Sequence, residues 1–182
     1  MNKNEQAPNL IYLLRHAHAA WARPGQRDYD RPLDDLGIED ANLMGTVLAK
    51  FEHLPQIILC SSARRCRQTC EIIQSHLSNG PIVEHDDGLY ENDHDYYVSL
   101  LARQTNRPVL LIGHNPMMED TAHQLSASTS KQAGKVLQKG FPTAGLAVIE
   151  ISGDFSTLSE GGMLTGFSTP KNQKTKAGKA SD

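Results

Sequence analysis

The sequence predicts an α/β fold in three layers, with helices covering both faces of a mostly parallel central sheet. Two observations lead there. Short apolar runs that read as buried strands alternate along the chain with segments of helical periodicity, the pattern from which parallel sheets are built. A length of 182 residues with 38% hydrophobic content suits one domain around a single core.

Leu10 to Leu14 is an apolar run that stops abruptly at Arg15-His16. It reads as a strand delivering two polar groups to its carboxyl end, where open α/β sheets bind their ligands. After a polar loop to about Pro32, the spacing of Leu36, Ala41, Leu43, Met44, Val47, Leu48 and Phe51 marks one face of a helix, capped by Asp34 or Asp35. Gln56 to Cys60 is the next strand, and Ser61-Ser62 stands as N-cap to a helix carrying Arg65, Gln68, Thr69, Ile72 and Ile73. A short strand over Ile82 to Glu84 leads through an aromatic-acidic loop to a helix around Tyr96 to Ala102. The strand Val109 to Ile112 ends in Gly113-His114-Asn115-Pro116, and a helix follows from about Met117 to Leu125. Ser126 to Lys139 is polar, either a flexible loop over the site or a poorly ordered connection. Ala144 to Ile151 and Met163 to Phe167 are late strands. The domain is expected to span residues 1–170. Lys171 onward is Lys-rich, lacks large apolar side chains and is expected to be a disordered tail.

Charge excludes some functions. A net charge of −3 provides no global basic field, so nucleic acid and membrane surfaces are not expected partners. No apolar stretch approaches the roughly 20 residues that cross a bilayer, and the start Met1 to Gln6 has no signal-peptide character. The cytoplasm is the expected location. Three cysteines, with Cys66 and Cys70 one helical turn apart, are expected to be free thiols rather than a disulfide framework.

A lone histidine is more often structural than catalytic, and that reading is taken for His18, His53, His76, His85 and His123. His16 and His114 differ, because each ends an apolar strand beside a feature that shapes an anion pocket. Arg15 offers a planar fork matched to phosphate oxygens, and Gly113 permits close backbone approach. Arg65, in the first turn of its helix, adds a second guanidinium near the helix's positive end.

Leu14-Arg15-His16-Ala17, Ser61-Ser62-Ala63-Arg64-Arg65-Cys66-Arg67-Gln68-Thr69 and Gly113-His114-Asn115-Pro116 resemble, in order, the three signatures of the histidine phosphatase superfamily. Asp30-Arg31-Pro32-Leu33 before Gly37, and Phe141-Pro142-Thr143-Ala144-Gly145, resemble its SixA branch of protein phosphohistidine phosphatases. The resemblance runs from about Leu10 to Pro170. It implies a phosphoglycerate mutase-like fold and a metal-independent, cofactor-free phosphatase. In that reading His16 is the nucleophile that forms a covalent phosphohistidine. Arg15, Arg65 and His114 hold the phosphoryl oxygens, and Asn115 lies among the substrate contacts. Arg65 is chosen over Arg64 and Arg67 because the family places the second arginine three residues before the Gln-Thr pair. Ala17 replaces the family's usual glycine and the mutases' asparagine is absent around Ala20-Trp21-Ala22, which argues against sugar-phosphate mutase activity.

A general acid is sought at Glu91 or Asp93, with surface acids the plain alternative. A phosphohistidine substrate lessens the need for one, since imidazole is protonated near neutral pH. Arg31 either reaches the rim of the site or forms a loop salt bridge with Asp28 or Asp30. The expected partner is a protein carrying phosphohistidine, such as a phosphotransfer domain or phosphocarrier. A general small-molecule phosphomonoesterase and a non-catalytic phosphate-binding module are the alternatives. A cysteine-dependent phosphatase fails on spacing, because Arg65 follows Cys60 one residue too early. A metal hydrolase built on His16-x-His18 with His94-Asp95 lacks any regular ligand motif.

Overall fold

The first apolar run becomes β1 (Leu10–Arg15), at the middle of a seven-stranded sheet in a computed structural model that describes residues 9–105, 108–153 and 155–179. The other strands are β2 (Ile57–Ser61), β3 (Ile82–Asp86), β4 (Val109–Gly113), β5 (Ser126–Thr129), β6 (Leu146–Glu150) and β7 (Gly162–Ser168). They lie in the order β3-β2-β4-β1-β6-β7-β5. All pairings are parallel except the two made by β6, so the sheet is mostly parallel as expected, with one reversed strand.

Strands β1, β2 and β4 are apolar at successive positions because both faces of the sheet are covered. Ile11 and Leu13, Ile57 and Leu59, Val109 and Leu111 enter one core. Their neighbours Tyr12 and Leu14, Ile58 and Cys60, Leu110 and Ile112 enter the other. Helices α1 (Asp35–Leu48) and α2 (Arg64–Ser75) close the second core with Ala41, Met44, Leu48, Cys66, Cys70 and Ile73. Helices α4 (His94–Ala102) and α5 (Met117–Leu125) close the first with Tyr97, Leu101, Met118, Ala122 and Leu125. Each fully buried aliphatic side chain contributes roughly 1.5–3 kcal/mol of transfer free energy, so the two cores pin the sheet from both sides. Asp34 caps α1, its carboxylate accepting from the Gly37 amide at 2.8 Å. Leu36, expected on the buried face of that helix, lies exposed, as does Ile38.

Four expectations need correction. The Ser126 to Lys139 segment is ordered, forming β5 on the sheet edge and α6 (Lys131–Leu137), which packs on β7 and caps itself through Ser130. The aromatic-acidic loop contains a one-turn helix, α3 (Gly88–Glu91). The N-cap of α2 is Ala63 rather than Ser61-Ser62, because Ser61 is the last residue of β2 and its hydroxyl serves a histidine instead. Finally, the segment from Lys171, expected to be a disordered tail, is helical over its described residues, 171–179. Pro170–Lys179 is helix α7, started by reciprocal hydrogen bonds between Thr169 and Asn172 and held to α1 by Lys174 Nζ on the buried Asp40 carboxylate at 2.8 Å. Residues 180–182 and the polar start at Met1 lie outside the described residues. Among the described residues, no helix is long and apolar enough to cross a membrane.

Candidate active site

Strands β1 and β4 pair in parallel with Arg15 opposite Gly113, so the residues just beyond their ends emerge side by side. The rings of His16 and His114 have centroids 5.1 Å apart. Helix α2, entered directly from β2, sets Arg65 in its first turn between them, 4% exposed. Arg65 Nε donates to His16 Nε2 at 3.2 Å and Nη2 donates to His114 Nδ1 at 3.1 Å.

These contacts fix both histidine tautomers, because a guanidinium only donates and a carbonyl only accepts. His16 Nδ1 lies 2.7 Å from the Ala17 carbonyl and must carry the proton, leaving a lone pair on Nε2. His114 accepts at Nδ1, so its Nε2–H donates to Ser61 Oγ at 2.8 Å. Both rings are neutral. Burial, then the positive charges of Arg65 and Arg15, push His16 down to about 3 against the pull of the Ala17 carbonyl. Burial, His16 and Arg65 push His114 down to about 2.

The surrounding backbone holds this arrangement. Thr69 Oγ1 accepts from the Ala17 amide at 3.1 Å and donates to the Arg65 carbonyl at 2.7 Å, linking the segment after β1 to the arginine-bearing helix. Gln68 accepts from the Leu33 amide at 2.9 Å, tying the same helix to the loop below. The Ala144 amide donates to the carbonyls of Arg15 and His16, and this contact holds Ala144 in the left-handed region at φ 53°. Gly113 is a close approach, but to a phenol ring rather than a ligand. A Cβ there would lie 2.7 Å from Tyr97, whose hydroxyl accepts from the His114 amide at 3.3 Å and donates to Leu89 O at 2.6 Å.

Arg15 donates through Nη1 to the Phe141 carbonyl at 2.8 Å, while its Nε is buried without a partner. Burial lowers its pKa, opposed by the Glu119 carboxylate and reinforced by Arg65. Asn115 donates through its amide nitrogen to Glu119 at 3.1 Å and to the Phe141 carbonyl at 3.2 Å, while its Oδ1 is buried without a partner. Arg64 and Arg67 point to solvent.

The acid search requires revision. Glu91 sits exposed on α3, lining a surface depression of about 500 Å³ with Arg27, Tyr29, Asp87 and Tyr90, and no described hydrogen bond joins it to the cluster. Asp93 caps α4, accepting from the Tyr96 amide. The carboxylate that touches the cluster is Asp28, on a 3-10 turn (Asp28–Asp30). Its Oδ2 accepts from Arg65 Nη2 at 2.9 Å and from the Tyr90 hydroxyl at 3.1 Å, and its Oδ1 accepts from Arg31 at 2.8 Å. Arg31 therefore takes the loop salt bridge, with Asp28, whose carboxylate also reaches Arg65. Burial raises the Asp28 pKa, but the Arg31 hydrogen bonds, Arg65 and Tyr90 outweigh it and leave the carboxyl below its usual range. Sequence reasoning missed Asp28, Tyr90, Glu119 and the Phe141 carbonyl as parts of the site. Only the Asp28–Arg31 spacing gave any signal.

Two neutral buried histidines have a consequence for stability. In the unfolded chain both titrate near 6.5, and in the folded protein only near 3 and 2. As pH falls from about 6.5 towards 3, the unfolded state binds protons that the folded state refuses, so stability decreases by up to about 1.4 kcal/mol per pH unit for each ring. The thermal midpoint is expected to drop between pH 7 and pH 5, and by less in His114→Asn. An equal drop in both proteins contradicts the neutral assignment of His114.

Comparison with known proteins agrees with this geometry. The histidine phosphatase superfamily (branch 1) profile matches residues 11–109. An uncharacterised protein of Mycobacterium tuberculosis is 30% identical over 163 residues, covering 87% of this chain and all of that protein. An uncharacterised chloroplastic protein of Arabidopsis thaliana is 30% identical over 140 residues, 66% of this chain, and the match spans 61% of its length. The crystal structure of a protein assigned as phosphohistidine phosphatase SixA from Agrobacterium tumefaciens superposes with a TM-score of 0.72 at 41% identity, over 79% of this chain and 92% of that one.

Proposed function

Because this chain belongs to the histidine phosphatase superfamily and is a phosphatase with SixA-like neighbours, we propose that it hydrolyses phosphohistidine presented by a partner protein, through a covalent intermediate on His16. The observation that carries the reading is the His16 ring, neutral, oriented by Ala17 and with its Nε2 lone pair held against the Arg65 guanidinium.

Phosphoryl transfer is mainly positioning and stabilisation of charge on the equatorial oxygens, and two arginines supply both. An incoming phosphoryl group takes over Arg65 donors that rest on the histidine nitrogens, which frees His16 Nε2 to attack. The unpartnered Arg15 Nε–H gains an acceptor at the same time. After attack, the phosphorylated ring carries a positive charge shared with the Ala17 carbonyl. Water then adds at phosphorus, and His16 leaves as a neutral imidazole. A substrate phosphohistidine departs in the same way, so bonds of like kind are exchanged and no strong acid is required. The histidine rings keep only a thin solvent-facing edge, 8% and 5%, which suits a phosphoryl group delivered by a protruding residue.

The test compares phosphate release from a phosphohistidine protein and from an aryl phosphate, in the presence of a chelator. A kcat/KM favouring the phosphohistidine protein by tenfold or more is expected. Faster aryl phosphate turnover makes the protein a general phosphomonoesterase, and loss of activity in chelator contradicts the metal-free mechanism.

A further inference from the structure

We propose that Asp28 and Tyr90 form a subsite for the leaving ring, in which the Asp28 carboxylate accepts the distal N–H of the phosphorylated imidazole and so selects P–N over P–O substrates. The inference rests on the phosphohistidine reading above. Asp28 is the carboxylate that touches the arginine-histidine cluster, and its side chain is 51% exposed, so it faces both the reacting centre and the solvent from which substrate arrives. Beside it stands an aromatic wall. Tyr90 packs edge-on against His114 at 5.5 Å and against Tyr29 at 5.1 Å, with the Arg65 guanidinium 5.9 Å from its ring centre. Tyr29 and Tyr90 also line the depression of about 500 Å³, which leaves room for the residue that bears the ring.

A flat cationic ring meets both needs of such a subsite, an apolar wall and an anionic acceptor. The Arg65 and Arg31 bonds to Asp28 anchor the carboxylate. The Tyr90 hydroxyl, at 3.1 Å, is the neutral donor among its partners, and a charged imidazolium N–H displaces it.

The chemistry balances without a proton transfer. His16 Nε2 forms a bond to phosphorus as the P–N bond to the substrate ring breaks, and that bond pair passes to the departing nitrogen. The imidazolium becomes neutral imidazole and keeps its proton on the distal nitrogen, where Asp28 holds it. An alkyl phosphate gains nothing from this arrangement, because its departing oxygen needs a proton. Asp28, held ionised by two arginines and a phenol, has none to give.

The experiment uses the full chain with Asp28→Asn and, separately, Asp28→Glu, measuring kcat/KM for phosphoimidazole and for an aryl phosphate, with inorganic phosphate as competitive inhibitor. Asp28→Asn is expected to lower phosphoimidazole turnover on the order of 30-fold more than aryl phosphate turnover, the range of a hydrogen bond to a charged group. The inhibition constant for phosphate is expected to move by less than threefold, and Asp28→Glu to recover part of the preference. Equal losses on both substrates, or a phosphate constant that rises in step, overturn the proposal by making Asp28 a support for Arg65 alone. Wild-type protein that prefers the aryl phosphate overturns the phosphohistidine reading itself, whatever the variants do.

Discussion

Replacing His16 with Ala is expected to lower turnover of every phosphate substrate by a factor on the order of 10⁴ or more, the scale seen when a covalent nucleophile is removed. The ring is neutral, its proton is tied to Ala17, and its Nε2 lone pair accepts from Arg65, the guanidinium proposed to orient substrate oxygens. The variant is expected to keep its affinity for inorganic phosphate, because Arg15 and Arg65 remain. Quenching the wild type with radiolabelled substrate should trap acid-labile, alkali-stable phosphate on the protein, and the variant should trap none. Residual activity within tenfold of wild type, or label retained in the variant, would move the nucleophile to another residue.

Arg65→Ala carries the second largest effect, a loss on the order of 10² to 10³ in kcat by comparison with other donors aimed at developing charge. The side chain is buried, bridges both histidines, and donates to Asp28 twice, through Nη2 to its carboxylate and through Nη1 to its main-chain carbonyl. Arg65→Lys restores a charge but not the fork, so it should recover only a minor part of the rate. Steady-state kinetics on a single substrate suffices, and a loss under tenfold for Arg65→Ala would show that a different arginine holds the phosphoryl group.

The central strands were legible because their apolar runs report burial on both faces, and the cluster was legible because the apolar runs of β1, β2 and β4 give way to Arg15-His16, Ser61-Ser62 and Gly113-His114. What stayed hidden has physical causes. Strand β5 is exposed at three of four positions, so it carries no apolar alternation, and it forms only because β7 offers an edge. Helix α7 has no large apolar residue, and its order comes from the Thr169–Asn172 cap and the Lys174–Asp40 pair across 134 positions. Asp28 lies three residues from Arg31, which in a sequence is an ordinary surface pair. Its contact with Arg65 spans 37 residues and is made by tertiary folding alone. The glycine at 113 was recognisable, yet the neighbour it accommodates, Tyr97, was not.

The pairing of Arg15 with Gly113 separates what the sheet fixes from what the loops around it leave adjustable. The reactive histidines inherit their spacing from a backbone ladder deep in the sheet, where a slip of one residue would turn every side chain to the opposite core. The turn that carries Asp28 and the short helix that carries Tyr90 hang outside that ladder. On the proposed reading, mutation there retunes which phosphorylated group is accepted without rebuilding the chemistry.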